Sequence, residues 1–188
     1  MLNLDIITEN KETIQQSFDR IAVDIIHNWS LKVDQDIYSF TEIEFYFFFA
    51  DIHEDNSTHE HKYDKCKWRF HLQGLDITFQ TTEKSDGGIL IRGLKTVKGN
   101  VNGPKRVLES IFKSLGDVVS IQKEFGLILK TEASSEQIRK TIRHGLSKTQ
   151  DNPFKDSFYR YFVDIDNWTK EHVSQTEKER IINNSIIV

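Results

Sequence analysis

Apolar residues return every three or four positions between Lys11 and Leu31. Ile14, Phe18, Ile21, Ala22, Ile25, Ile26 and Trp29 fall on one stripe, which predicts a helix lying over a sheet. The period then changes. From Ser39 to Ala50, β-branched and aromatic residues fill a strand-length window. Within it Glu42 and Glu44 alternate with Ile43 and Phe45, so Glu42, Glu44 and Tyr46 share one face. Asp51 to Lys67 is polar and His-rich, a loop. Strands are predicted over Trp68 to Leu72 and Leu75 to Thr81, and a Ser85-Asp86-Gly87-Gly88 turn leads into a third over Ile89 to Leu94.

Gly103-Pro104 marks a helix start, with Pro104 suited to the first turn. That helix carries Val107, Leu108, Ile111, Phe112 and Leu115 on one stripe. One or two short strands are predicted within Val118 to Lys130. Ser134 to Gln137 has the spacing of a capping box before a basic helix, Ile138 to Leu146. Phe158 to Val163 is extended, and Glu171 onward begins as helix. The order of elements predicts an α+β fold, with an antiparallel or mixed curved sheet covered by helices. Residues 1–188 form a single domain: an N-terminal helix over about 11–31, a β-rich core over about 39–94, and a helix-rich C-terminal part over about 103–188.

Composition narrows the class. Two prolines and nine glycines in 188 residues leave no linker or low-complexity tract. The longest apolar run, Phe45 to Ala50, is too short to cross a bilayer, and Met1 to Asn10 lacks the basic start of a signal peptide. A single cysteine, Cys66, forms no internal disulfide framework and fits a reducing, cytoplasmic setting. The net charge of −4 argues against a generic polyanion binder, but it is unevenly spread. Residues 1–64 hold 4 basic and 14 acidic side chains, whereas residues 92–148 hold 12 and 5. Two readings follow: a basic face on an acidic protein, or halves that neutralise each other across the surface.

No Gly-rich phosphate loop, Gly-x-Ser-x-Gly elbow or paired-cysteine motif occurs. Asp51, His53, Asp55, His59 and His61 carry the donor types of a zinc or iron site, but their spacing matches no recognised ligand pattern. Glu44 lies in an apolar strand, where a carboxylate must be paired, hydrogen-bonded or turned to a cleft. It is a candidate general base; alternatively Glu42 and Glu44 belong to a solvated strand face. Arg92 sits in an equally apolar strand and requires an acidic partner or an anion, with Glu44 and Asp76 as candidates.

Taken in order, these segments resemble the alkyladenine (3-methyladenine) DNA glycosylase family. The family's Glu-x-Glu-Ala-Tyr strand resembles Glu42-Ile43-Glu44-Phe45-Tyr46, matching both acids and the tyrosine. Asp76-Ile77-Thr78 resembles its Asn-Ile-Ser segment, Asp86 to Leu94 its glycine turn and apolar strand ending in Arg, and Asn102-Gly103-Pro104 its Gly-Pro helix start. Phe158 to Phe162 and Trp168 resemble its closing strand. Three features depart from the family. Asp76 replaces Asn, Leu72 or Gln73 stands where the family places an aromatic wedge, and the chain is acidic overall.

The resemblance implies a hydrolase of base excision repair, a monomer that acts on damaged double-stranded DNA by base flipping, with no membrane partner and neither metal nor organic cofactor. It casts Glu44 as the base that activates water and Arg92 as the group that holds that water or a phosphate. The base pocket would comprise Tyr46 and Phe70 as stacking rings, His59 (with His61 and His53 as alternatives) and Asp76. Lys95, Lys98, Lys105 and Arg106 would contact the DNA backbone. Two alternatives accompany it: a non-catalytic protein that binds a nucleobase-like ligand or a protein partner, and a metal-dependent hydrolase built on the His-rich loop.

Overall fold

In the computed structural model, which describes residues 1–119, 123–146 and 151–188, the first helix, α1 (Lys11–Asn28), begins on a reciprocal cap. Asn10 Oδ1 accepts from the backbone N–H of Glu12 and Thr13, and Thr13 Oγ1 accepts from the N–H of Asn10. Asn10→Ala is expected to cost about 1 kcal/mol, read as a lowered thermal midpoint. The helix stops short of Leu31 because Trp29 turns extended (φ −116°, ψ 149°) and opens β1 (Trp29–Val33). The apolar stripe persists through Trp29 by coincidence of spacing, but the backbone there pairs with Leu129 and from Ser30 onward has strand partners on both sides.

The next strand, β2 (Asp36–Phe49), is the spine. It pairs with β1 at its start and along nearly all its length with β6 (Ser85–Thr96); β3 (His53–Glu54) joins at its end. β4 (Trp68–His71) and β5 (Gly74–Thr78) extend the sheet beyond β6, and β7 (Gly99–Asn102) folds back on it. On the other flank of β2 lie β10 (Arg160–Phe162), β9 (Arg139–Thr141) and β11 (Ile186–Ile187), while β8 (Phe125–Leu129) pairs with β1. Every pairing is antiparallel. With α1, α2 (Pro104–Leu115) and α3 (Gln175–Asn183), this is a single-domain α+β architecture.

One face of the sheet makes the core. Ile43, Phe45 and Phe47 of β2, Ile89 and Ile91 of β6, and Leu75 and Ile77 of β5 pack with the apolar stripe of α1 and with Val107 and Ile111 of α2. Phe18 stacks on Phe45 at 4.6 Å between ring centroids. The sequence-predicted turn at Gly87-Gly88 is strand instead. Both glycines lie inside β6 because neighbouring backbones approach too closely for a side chain. A Cβ on Gly87 would fall 2.2 Å from the Tyr46 carbonyl, and one on Gly88 2.9 Å from that of Ile77.

Further along, Ile138 to Leu146 is not a helix. Ser134 Oγ accepts from the N–H of Glu136, forming a local turn rather than a cap. Arg139–Thr141 then pairs with β10 and β11, and these ladders override a modest helical propensity. Among its described residues the C-terminal part therefore mixes two α-helices with four strands rather than being helix-rich. One predicted strand in Val118 to Lys130 is present as β8; residues 120–122 of that span lie outside the described residues. No helix among the described residues is long and apolar enough to cross a membrane.

The uneven charge resolves into pairs. Arg92 meets Glu42 and Glu44, Lys123 meets Asp34, Lys140 meets Asp19, and Arg143 meets Asp55. Each joins the basic segment to the acidic one, so part of the imbalance is neutralised across the fold.

Candidate functional site

The sheet's second face carries a row of charged groups, interrupted by Leu90, that runs across neighbouring strands. Arg69 of β4 stands opposite Asp76 of β5, Asp76 opposite Leu90 of β6, Leu90 opposite Glu44 of β2, and Glu44 opposite Arg160 of β10. Period-two alternation in β2 sends Glu42, Glu44 and Tyr46 to this face while Ile43 and Phe45 enter the core.

The face is not solvated around the two acids. Glu42 is 2% exposed and Glu44 0%. Glu42 Oε1 accepts from Arg92 Nε at 3.0 Å and from Arg160 Nε at 2.6 Å. Glu44 Oε2 accepts from Tyr46 Oη at 2.8 Å and Arg92 Nη1 at 3.3 Å, and its Oε1 accepts from the N–H of His144 at 3.0 Å. Two acids and two guanidinium groups thus balance in charge, the arrangement that lets ions persist without water. Burial pushes the Glu42 carboxyl up, but Arg160 and Arg92 together prevail and hold it below its usual value. Burial, and then the charge of Glu44, drive the Tyr46 hydroxyl well above its ordinary range.

Behind Tyr46 lies a second buried pair. Arg143 Nη1 and Nη2 donate to the two oxygens of Asp55 at 2.5 and 3.2 Å, and both side chains are fully enclosed. The Arg143 guanidinium also lies over the Tyr46 ring, 4.8 Å from its centroid. Asp55 was a metal-ligand candidate and Arg143 part of a predicted helix. Their pairing spans 88 residues, and no local pattern signals it.

Above these groups opens a cavity of about 1010 Å³. Its walls come from β2, β4, β5 and β6, the loop at 56–59, the first turn of α2, and residues 144–146. Of the residues the sequence singled out, Tyr46, His59, Asp76, Arg92, Lys105 and Arg106 border it. Glu44 lies beneath, hydrogen-bonded to Tyr46 and Arg92, and does not border it. His71 and His144, which sequence reasoning missed, do border it. Burial and the charges of Arg92 and Arg160 keep the His144 imidazole below its ordinary pKa, hence neutral near pH 7.

Four sequence expectations part from this geometry. Phe70 points to the opposite face of β4 from Arg69 and His71, where its ring stacks on Phe112 and packs at a tilt against Phe125; it is not a second stacking wall. Lys95 is turned to Asp164, with Nζ 2.5 Å from Oδ2, and Lys98 does not border the cavity. His53 and His61 are structural. His53 Nδ1 donates to the Phe47 carbonyl while Nε2 faces the Tyr159 hydroxyl; His61 Nε2 lies against the Gly87 carbonyl and Asp86. Among the described residues no three His, Cys, Asp or Glu side chains converge to hold a metal ion.

Asp76 does not bring an uncompensated charge to the cavity. Arg69 Nη1 lies 3.3 Å and His71 Nε2 3.0 Å from its Oδ2. Asp76 raises the pKa of His71 against the opposing effect of burial. A raised value stabilises the fold below the ordinary imidazole pKa, and that contribution fades as pH rises through the raised one. Proton NMR titration is expected to place His71 above 6.5, and Asp76→Asn to lower it; an unchanged value in the variant refutes the pair.

No family model matches the chain, and no curated protein or solved structure is significantly similar to it.

Proposed function

We propose that this chain is a non-catalytic ligand-binding protein whose cavity takes a flat, nucleobase-like ring against Tyr46, with Glu44 serving the fold rather than a reaction. The observation that carries this reading is the condition of Glu44. It has no exposed surface, and both its oxygens are engaged by Tyr46, Arg92 and the backbone of His144. A general base needs a water within hydrogen-bond reach of a free lone pair. The cavity itself is of ligand size, with an aromatic wall and a few fixed polar groups.

A second reading is favoured by a specific convergence. Five of the residues that the resemblance to alkyladenine DNA glycosylases picks out, Glu44, Tyr46, His59, Asp76 and Arg92, gather in or directly under one cavity, though Phe70 does not. An N-glycosylase would require Tyr46 or residues 144–146 to move aside and admit water to Glu44. One experiment separates the two. The protein is titrated calorimetrically with purine nucleosides and nucleotides, and incubated with duplexes holding single hypoxanthine, ethenoadenine or 3-methyladenine sites. Binding without excision is the expected result. Abasic product from any duplex, absent with Glu44→Gln, establishes the glycosylase instead.

A further inference from the structure

The Tyr46 ring is a charged wall rather than a plain aromatic one. The Arg143 guanidinium lies over one face at 4.8 Å, is fully buried, and does not border the cavity. That face of the ring is already occupied, so a flat ligand stacking on Tyr46 from the cavity would have to use the other face. Arg143 is fixed there by Asp55 and by the carbonyls of Phe45 and Phe154, so it cannot withdraw. A cation on one face of a π-system uses the attraction that a cation on the other face would need, and the two cations repel through the ring.

The remaining walls carry four basic side chains, Arg69, Arg92, Lys105 and Arg106, against two acids, Asp76 and Glu109. Arg69 and Arg92 border the cavity, each with its charge matched by acids of the sheet. Lys105 and Arg106 border it without forming an ion pair among the described residues. Their place is set by Pro104, which opens α2, and by Arg106 Nη1 donating to the Asn102 carbonyl at 3.4 Å. Of the bordering acids, Asp76 is already engaged by Arg69 and His71, which leaves Glu109 as the one without an ion pair among the described residues. With Glu109 on the same helix, Lys105 and Arg106 still leave this end of the cavity net positive, which suits a phosphate that accepts charge-assisted hydrogen bonds from both cations.

We infer that the cavity selects by charge at both ends, taking a nucleoside monophosphate with an uncharged ring and rejecting rings that carry a positive charge. The inference rests on the reading of the cavity as a nucleobase pocket and specifies its ligand: phosphate toward Lys105 and Arg106, neutral ring toward Tyr46. It also excludes the cationic alkylated purines that an aromatic pocket would ordinarily favour.

Calorimetry with the full chain tests it with adenosine, adenosine monophosphate, and the N1-methylated monophosphate, whose ring is cationic at neutral pH. The unmethylated monophosphate is expected to bind about tenfold or more tightly than either of the others. A Lys105→Ala/Arg106→Ala variant should reduce its affinity to that of adenosine. The inference is overturned if the methylated nucleotide binds as tightly as the unmethylated one, or if adenosine matches the monophosphate while the pocket reading survives. A single-stranded oligonucleotide that binds more tightly than the mononucleotide would assign the phosphate to a strand and overturn the monophosphate. Absence of binding by every probe removes the pocket reading itself, and the inference with it.

Discussion

Arg143→Met is expected to lower the free energy of unfolding by about 3–5 kcal/mol, the cost of leaving one partner of a buried ion pair uncompensated. Asp55 is fully enclosed, and its remaining contacts are the Asn152 amide at 2.7 Å and the Ser57 N–H at 3.1 Å. Two neutral donors do not replace a bidentate guanidinium. The double variant Asp55→Asn/Arg143→Met removes both charges and should recover much of the loss, since a buried pair is costly to break but not to delete. Urea unfolding of the three proteins measures this. A single variant within about 1 kcal/mol of wild type would mean that water reaches Asp55 and that the pair is not sealed. The same substitution removes the cation behind Tyr46, so a folded Arg143→Met protein should discriminate less against a cationic ring.

How far the sequence foretold this site depends on the range of each interaction. The alternation Glu42-Ile43-Glu44-Phe45-Tyr46 placed two acids and a tyrosine on one face because strand geometry is local. Arg92 needed an acid, and adjacent strands supplied Glu42 and Glu44. The solvated-face alternative for those acids failed for a reason no window contains. Arg160 pairs with Glu42 from a strand 118 residues away. Phe70 failed differently. The sequence marked β4 as aromatic, but which of two alternating faces meets the cavity depends on register with β5, where Arg69 faces Asp76 and thereby turns Phe70 away.

The His-rich loop illustrates the opposite error. Five potential metal donors within eleven residues invite a metal site. Yet each of His53, Asp55 and His61 satisfies a different buried partner, a backbone carbonyl, an arginine and a second carbonyl respectively. Donor types were legible in the chain; convergence was not, because it depends on where the loop crosses the sheet. The capping-box spacing at Ser134 misled for a related reason, since a local turn and a helix start share their first hydrogen bond.

Glu44→Gln carries the decisive second prediction. The amide keeps the shape of the carboxylate but leaves Arg92 and Arg160 with one buried acid between them. It also presents an N–H either to the Arg92 guanidinium or to the His144 N–H, both of which are donors. The expected loss is about 3 kcal/mol of stability, while nucleotide binding to the folded fraction persists. A catalytic Glu44 behaves in the reverse manner: stability within about 0.5 kcal/mol of wild type and turnover abolished. Acid titration supplies an independent check. Glu42 has a folded pKa below its ordinary value, so its contribution to stability is complete above that ordinary value and is lost as pH falls through the lowered one. With Glu44 neutral, both guanidinium groups act on Glu42 alone and lower its pKa further. The acid loss contributed by Glu42 should therefore begin at the same pH in both proteins, set by the unfolded carboxyl, but continue to lower pH in Glu44→Gln than in wild type. A Glu42 carboxyl whose acid loss ends at the same pH in the variant as in wild type would mean that the charge at position 44 does not act on it, and the four charges would not form one unit.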